Sequence, residues 1–439
     1  MRMPLHRLTL AAVLAGLSTG APAYELYRDG DSHLDANLEM LFGLFHSRER
    51  YAIARDQPGS ASWREGYLKY GLSGEQRLGG AGTLYGAFAL LGSGTWGDGD
   101  AAGFSDGSER THKIEDAYAG WKSANLFPLL GEDGIDFSYG RQSVAIGDGF
   151  LIQGDSLNVG HGLGDGQFNR GGGYYLAARK SFDKTAILRL GGKTGWRGDL
   201  MWLQSDNRAQ ANTEMHVATL EHVADAGTVG LTWIDTTHVD ERYASPQQLE
   251  REGMKTWSIR AQGNAGVDNL FLSGEFAKQD KPHAATEDAW YLEAGWTFAD
   301  TSWRPNLSYR YSRFSERFDP LFFGLSRGLG TWFQGEVAAN YAGPFNSNTR
   351  VHKVGLVVSP LPTLNLGAQW FAFDTLDRRL GNTDARELDL YAEWTVSEHL
   401  TVVPLVGLYQ PERSALDGGT QLGSDRTNLY SQVVFVSTF

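Results

Sequence analysis

Residues 288–298 read Asp-Ala-Trp-Tyr-Leu-Glu-Ala-Gly-Trp-Thr-Phe, an acid set in the middle of a strongly apolar run. At the two-residue period of a β-strand, Trp290, Leu292, Ala294, Trp296 and Phe298 share one face, and Tyr291, Glu293, Gly295 and Thr297 share the other. The alternation recurs from end to end. Leu34, Ala36, Leu38 and Met40 alternate with Asp35, Asn37 and Glu39, and Leu307, Tyr309 and Tyr311 with Ser308, Arg310 and Ser312. Leu364, Leu366, Ala368 and Trp370 alternate with Asn365, Gly367 and Gln369, and Leu388, Leu390, Ala392 and Trp394 with Asp389, Tyr391 and Glu393. Segments of about ten residues, apolar on one face and polar on the other, are the pattern of a transmembrane β-barrel.

A soluble β-sandwich also alternates. Here, however, the polar face is often charged and glycine-rich, as a watery lumen requires. The apolar face is heavy in Trp, Tyr and Phe, which gather at membrane interfaces. In hydrocarbon every backbone N–H and C=O must be paired, so such a sheet has to close on itself. The mean hydropathy of −0.35 is too polar for a helical membrane protein, and no run of about 18 apolar residues follows the N-terminal segment. The chain has no cysteine, so hydrogen-bonded architecture rather than disulfides must hold it. A net charge of −13 argues against nucleic acid as a partner and suits acidic, solvated loops.

Residues 1–23 read as a secretory signal: Arg2, His6 and Arg7 form a basic start, Leu8 to Gly20 an apolar stretch, and Ala21-Pro22-Ala23 a cleavage site. Residues 24–439 then form one all-β domain. Short turns are expected near 74–82, 125–133, 183–184, 225–226, 266–268, 300–303, 360–362 and at Glu398. Longer polar connections are expected near 47–60, 96–110, 143–171, 205–212, 237–254, 281–287, 315–348, 375–385 and 411–426. Short and long alternate without a break, which gives about eighteen strands, an even number as a single-chain barrel requires. Leu429, Val433, Phe435 and Phe439 share one parity in a last strand that ends on Phe. The 315–348 connection is too long for a plain loop and too apolar to project into water, with Phe318, Leu321, Phe322, Phe323, Trp332 and Phe333. It is expected to fold back into the barrel mouth, with a helical turn or two around Gln334 to Asn340, placing Arg327 and Glu336 at a constriction.

No catalytic signature stands out. Gly191-Gly192-Lys193-Thr194 has the tail of a phosphate-binding loop, but its first glycine would fall on Ile187, and Gly160–Gly166 lacks the third glycine of a dinucleotide loop. Asp98, Asp100, Asp106 and Glu109 could hold Ca²⁺ in one outer loop or simply be solvated there. His46, Ser47 and Asp56 carry no nucleophile motif. No cofactor and no metal are therefore expected. What remains is the lumen lining. Alternation points Lys69, Arg189, Arg260, Arg310 and Lys353 inward, together with Glu275, Glu293, Asp389 and Glu393.

The segments Gly140-Arg141-Gln142, Gly147–Phe150, Ser308–Phe314, Phe318–Gly324, Arg327–Glu336 and Asn346–Asn348 resemble the bacterial alginate-export family of outer-membrane barrels. The resemblance is diffuse over the mature chain and best in its C-terminal third. It implies an eighteen-stranded barrel with an arginine-rich constriction, and carries Arg141, Arg310 and Arg313 over as pore residues. Strict alternation puts Arg141 on the face of Phe137 and Tyr139, so it reaches the lumen only past a bulge or at the strand end. The expected function is passive passage of polar, anionic or sugar-derived solutes through a Gram-negative outer membrane. A dedicated alginate or polysaccharide exporter and an outer-membrane lipid hydrolase are the alternatives. Expected partners are outer-membrane lipid, the solute, and the barrel-assembly machinery through Phe439. The protein is accordingly predicted to fractionate with the outer membrane and to migrate heat-modifiably on gels. Deleting Phe439 should impair assembly, and recovery of the intact protein from the soluble periplasm would rule the barrel out.

Overall fold

The computed structural model describes residues 24–327 and 334–439. The expected signal segment, and Thr331 to Phe333 of the long connection, lie outside the described residues. The strands are β1 (Tyr24–Asp29), β2 (Ser32–Ser47), β3 (Ala61–Arg77), β4 (Thr83–Gly97), β5 (Arg110–Lys122) and β6 (Ile135–Gln142). There follow β7 (Phe182–Leu190), β8 (Gly195–Gln204), β9 (Glu214–Ala224), β10 (Gly227–His238), β11 (Lys255–Gly263), β12 (Leu270–Asp280) and β13 (Glu287–Thr297). The last are β14 (Asn306–Phe314), β15 (Thr349–Leu361), β16 (Leu364–Thr375), β17 (Ala385–Ser397), β18 (Leu400–Pro411) and β19 (Asn428–Thr438).

From β2 onward each strand pairs antiparallel with the next, and β19 pairs back onto β2, with Phe435 opposite Phe42. Eighteen strands therefore close into a ring, which leaves no lipid-exposed sheet edge where the ladder is complete. β1 is additional and was not anticipated from the sequence. β2 is 16 residues long and β19 only 11, so the lower part of β2 would be left as an open edge. β1 covers it, with Tyr24 opposite Ala36, on the line where β19 ends with Phe439 bonded to Leu38.

Outward parity carries the apolar belt. Leu292 is 63% exposed and Trp296 41%, whereas Tyr291 and Glu293 between them are buried. Phe88, Phe137, Leu200, Leu231, Ile259 and Leu390 are outward and exposed in the same way. So large an apolar surface is stable only against lipid. The alternation in residues 288–298 thus describes a strand with hydrocarbon on one side and the barrel interior on the other.

Short and long connections alternate as expected, with the short ones marking the periplasmic end. One pair of boundaries differs. Residues 183–184 are strand, not turn; the turn is 191–194, so the preceding connection runs from 143 to 181 rather than to 171. Asp183-Lys184 resembles a turn only because its polar residues lie at the outer end of β7. Residues 172–181 form no strand and lie mostly buried inside the barrel.

Both long connections fold inward. None of the described residues of 315–348 joins a wall strand, and their helical turn is a π-type turn at Ala338–Ala342, slightly later than expected. The 143–181 connection joins it: Phe322 N–H donates to Leu151 O, Gln153 N–H to Phe322 O, and Gly324 N–H to Gly149 O, at 2.8–3.0 Å. Phe150, Phe182, Phe314, Phe318 and Phe322 interlock at ring spacings of 4.9–6.4 Å. Each fully buried aromatic contributes about 1.5–3 kcal/mol. The outer half of the lumen is therefore a protein core. Because the eighteen-strand ladder is complete without the second excursion, deleting residues 320–344 should leave a heat-modifiable barrel, with clearly higher conductance. Loss of the folded band on gels would show that the plug is needed for closure.

Candidate functional site

Charged side chains on the inner wall fall into two environments. In the periplasmic half they are partly solvated. Lys69 pairs with Asp116 at 2.5 Å, Lys122 with Glu75 at 2.6 Å, Arg197 with Glu221 at 2.6 Å and Arg189 with Asp136 at 3.6 Å. The Arg189 side chain remains 41% exposed. In the outer half the same inward parity runs under the folded loops, and the Arg310 side chain is 1% exposed. Glu275, Glu293, Arg260, Arg310 and Lys353, expected to face a watery lumen, are instead buried against the folded-in loops. Glu393 lies lower on the wall and is half-buried.

The tightest charge cluster centres on Arg327. Its Nε and Nη2 donate to the two oxygens of Asp148 at 2.8 and 2.7 Å, and Nη2 also reaches Glu293 at 2.8 Å. The guanidinium lies over the Phe271 ring, 4.7 Å from its centroid. Arg310 and Lys353 approach Glu293 at 3.9 and 3.8 Å. Asp148 further accepts from Ser273 Oγ at 2.8 Å and Tyr291 OH at 2.7 Å. Three cations thus meet two carboxylates, where β13, β14 and β15 face both inner loops. Burial disfavours the Asp148 carboxylate, but Arg327 and the hydroxyl donors outweigh burial and hold it below its usual range. Arg260, directly opposite Glu275 on the ladder, bonds Glu221 and Thr232. Glu275 accepts from Ser258 Oγ at 2.7 Å.

A second cluster surrounds Asp206. Arg141 reaches it at 2.9 Å and Asp183 at 2.7 Å, Arg170 reaches Asp155 at 2.7 Å and Asp206 at 3.4 Å, and Arg179 reaches Glu115 at 3.3 Å. Arg141 enters the lumen through a register break between Gly140 and Gln142. Gly140 has φ +131°, and a Cβ there would lie 2.3 Å from the Ala117 carbonyl, so the bulge needs glycine. Burial disfavours the Asp206 charge, but Arg170 and Arg141 overcome this and hold its carboxyl below the usual range. Arg170, Arg179 and Asp206 went unrecognised in the sequence, since only the fold of the 143–181 connection brings them together.

Arg313 is not a pore residue. It has the outward parity of Tyr309 and Tyr311, stands opposite Trp290 and pairs with Asp288 at 2.8 Å. The resemblance ran against the alternation there, and the alternation decides the side. Glu336 is buried against β17, away from Arg327. Glu387 accepts the Val337 and Ala338 N–H groups at 2.7 and 3.0 Å, and Asp389 accepts that of Glu336 at 3.1 Å.

Of the acidic loop residues, Asp98 accepts from Ser62 N–H, Asp100 from three backbone N–H groups, and Glu109 from Asp106, Gly107 and His161 N–H. These carboxylates organise turns, although Asp106, Glu109 and His161 lie close enough to share an ion. His46 and Ser47 point to opposite faces of β2: Ser47 is buried while His46 is exposed, so they form no nucleophile–base pair.

No protein-family profile and no curated protein sequence matches the chain. Solved structures do. A BenF-like porin from Pseudomonas fluorescens Pf-5 superposes with a TM-score of 0.60 at 9% identity, covering 92% of this chain and 98% of that one. OccAB4 of Acinetobacter baumannii gives 0.58 at 9% identity, with coverages of 92% and 98%. OpdQ of Pseudomonas aeruginosa gives 0.56 at 10% identity, with coverages of 92% and 99%. The likeness shows the fold, that of outer-membrane porin barrels.

The Arg327 cluster makes a stability prediction. Arg327→Ala leaves Asp148 and Glu293 buried beside a lost fork, which should cost about 3–5 kcal/mol. The temperature of the heat-modifiable gel shift should fall clearly, and Asp148→Asn in the same chain should restore part of it. An unchanged transition would show that Arg327 contributes nothing to the closed mouth.

Proposed function

We propose that the protein is an outer-membrane channel for passive passage of small polar solutes, with anionic or sugar-derived molecules as its class. One contrast carries the reading. A partly solvated, charged inner wall at the periplasmic end gives way, under the folded-in loops, to a buried cluster in which Arg310, Arg327 and Lys353 outnumber Asp148 and Glu293. A wall that served only as a scaffold would not need charge along its inner face. A cation excess at a narrow, low-dielectric point favours anions. Movement follows the solute gradient, and the chain reaches the membrane through an N-terminal signal and through recognition of Phe439 by assembly machinery.

Export of an alginate-like polyuronate is the second reading, favoured by the meeting of Arg141, Arg170 and Arg179. Their charge is matched by Asp155, Asp183, Asp206 and Glu115, so a long polyanion would find little surplus positive charge there. That balance favours small solutes.

Purified protein in liposomes at mildly alkaline pH should pass small polar solutes while the lipid stays intact. In a salt gradient, Arg189→Gln with Arg197→Gln should lower anion preference. The effect should fade at high salt, where the screening length falls to about 3 Å at 1 M. A silent protein that hydrolyses lipid would reverse the reading, and an unchanged reversal potential would remove the anion preference.

A further inference from the structure

Residues 334–343 pack against the inner faces of β14, β17, β18, β19 and β3. Glu336, Val337, Ala338, Asn340, Tyr341 and Ala342 are all buried there. What holds this half of the excursion differs from what holds the other. Residues 315–327 are fixed by ion pairs, Arg251–Asp319 at 2.7 Å and Arg327–Asp148 at 2.7 Å. Residues 334–343 are held by hydrogen bonds. Tyr174 OH donates to Asn340 O and Thr420 Oγ1 to Ala342 O at 2.7 Å, while Gln334 Nε2 donates to Ser312 Oγ at 2.9 Å and its Oε1 accepts from Arg310 at 3.4 Å. Glu387 and Asp389 receive the backbone N–H groups of 336–338. Among the described residues no Lys, Arg or His pairs with Glu336, Glu387 or Asp389, and residues 328–333 are uncharged. Glu336 Oε1 and Asp389 Oδ1 are buried without a hydrogen-bond partner.

We propose that Glu336 is a proton-held latch: protonated, it keeps residues 334–343 docked in the lumen, and its ionisation releases them and widens the channel. The proposal rests on the channel reading above. β14 presents Arg310, which bonds Gln334 two residues before Glu336; the other groups facing the segment are neutral or acidic. Glu387, Asp389 and Tyr391 come from β17, Tyr409 from β18, Tyr430 from β19, Glu65 from β3, Tyr175 from the 143–181 connection and Tyr341 from the segment itself. A new negative charge at Glu336 would therefore meet like charge and no paired counter-ion in a dry site. Tyr175 OH accepts from Gln432 Nε2 at 2.6 Å, which ties the loop beside the latch to β19.

The direction of pH dependence follows. Burial pushes the Glu336 carboxyl up from its ordinary 4.5 to about 8, with the nearby Tyr175 hydroxyl opposing and Glu387 adding to the shift. Below 4.5 the group is protonated docked or released, and docking is strongest. Between 4.5 and about 8 the docked segment must keep a proton that the released one gives up, so docking weakens as pH rises, with no further loss above that range.

The test uses the full-length protein in planar bilayers, with pH stepped across that window at fixed salt. Wild-type conductance should rise severalfold from the acid to the alkaline end, whereas Glu336→Gln, which cannot ionise, should stay at the acid-end value throughout. A second readout does not depend on transport. Because the chain lacks cysteine, Ala339→Cys on the docked turn can be labelled with a thiol reagent and normalised to Ser424→Cys in an exposed loop. Its relative labelling should rise with pH and stay low when Glu336→Gln is added. Labelling that rises in a protein silent at every pH would support the latch and sink the channel reading. Conductance and labelling that are both flat with pH would overturn the latch. So would opening by a chelator at fixed pH, since a bound cation would then be the lock.

Discussion

The structure depends on one constraint: a peptide group in hydrocarbon has no water to bond, so each N–H and C=O must find a partner within the protein. A sheet meets that demand only by closing, and here closure is the antiparallel pairing of β19 with β2. Other features follow from it. Lipid outside and protein or water inside force period-two alternation on every wall strand. β1 exists because β2 outruns β19 and would otherwise keep an unpaired edge. The two inner loops could turn apolar because the wall stands without them.

Those loops decide what the lumen is. A bare ring of eighteen strands encloses water, and its charged inner residues would be ordinary solvated groups. With residues 143–181 and 315–348 folded inside, the same residues lie in a dry interior, where a charge is stable only with a close partner. Glu293 amid Arg310, Arg327 and Lys353 meets that condition, and so does Asp206 amid three arginines. The acidic group on β17 meets it through the backbone donors of residues 336–338.

The wall was legible in the sequence because each strand repeats the same local rule. Parity placed Glu293, Arg310 and Lys353 inside, whereas Arg313, expected in the pore from the resemblance alone, has the outward parity of its neighbours. Parity also flagged Arg141 as needing a bulge, and the Gly140 backbone supplies one. The failures have a single physical origin. The polar pair Asp183-Lys184 reads locally as a turn, and nothing local says that β7 runs through it while residues 172–181 fold into the lumen. The partners of Arg170 and Arg179 were illegible for a related reason. They meet Asp155, Asp206 and Glu115 across distances that no local pattern encodes.

The seam between β2 and β19 also has a consequence in time. Asn428 on one side bonds Ser47 on the other, 381 residues apart in sequence, so the contact that seals the barrel is among the most non-local the chain makes. Loop-closure entropy makes such contacts late and slow. Until it forms, the growing sheet carries two long, flat edges ready to pair with any other extended chain. A protein built this way is at its most vulnerable just before it is finished, and its yield is set by how long those two edges are kept apart from everything except each other.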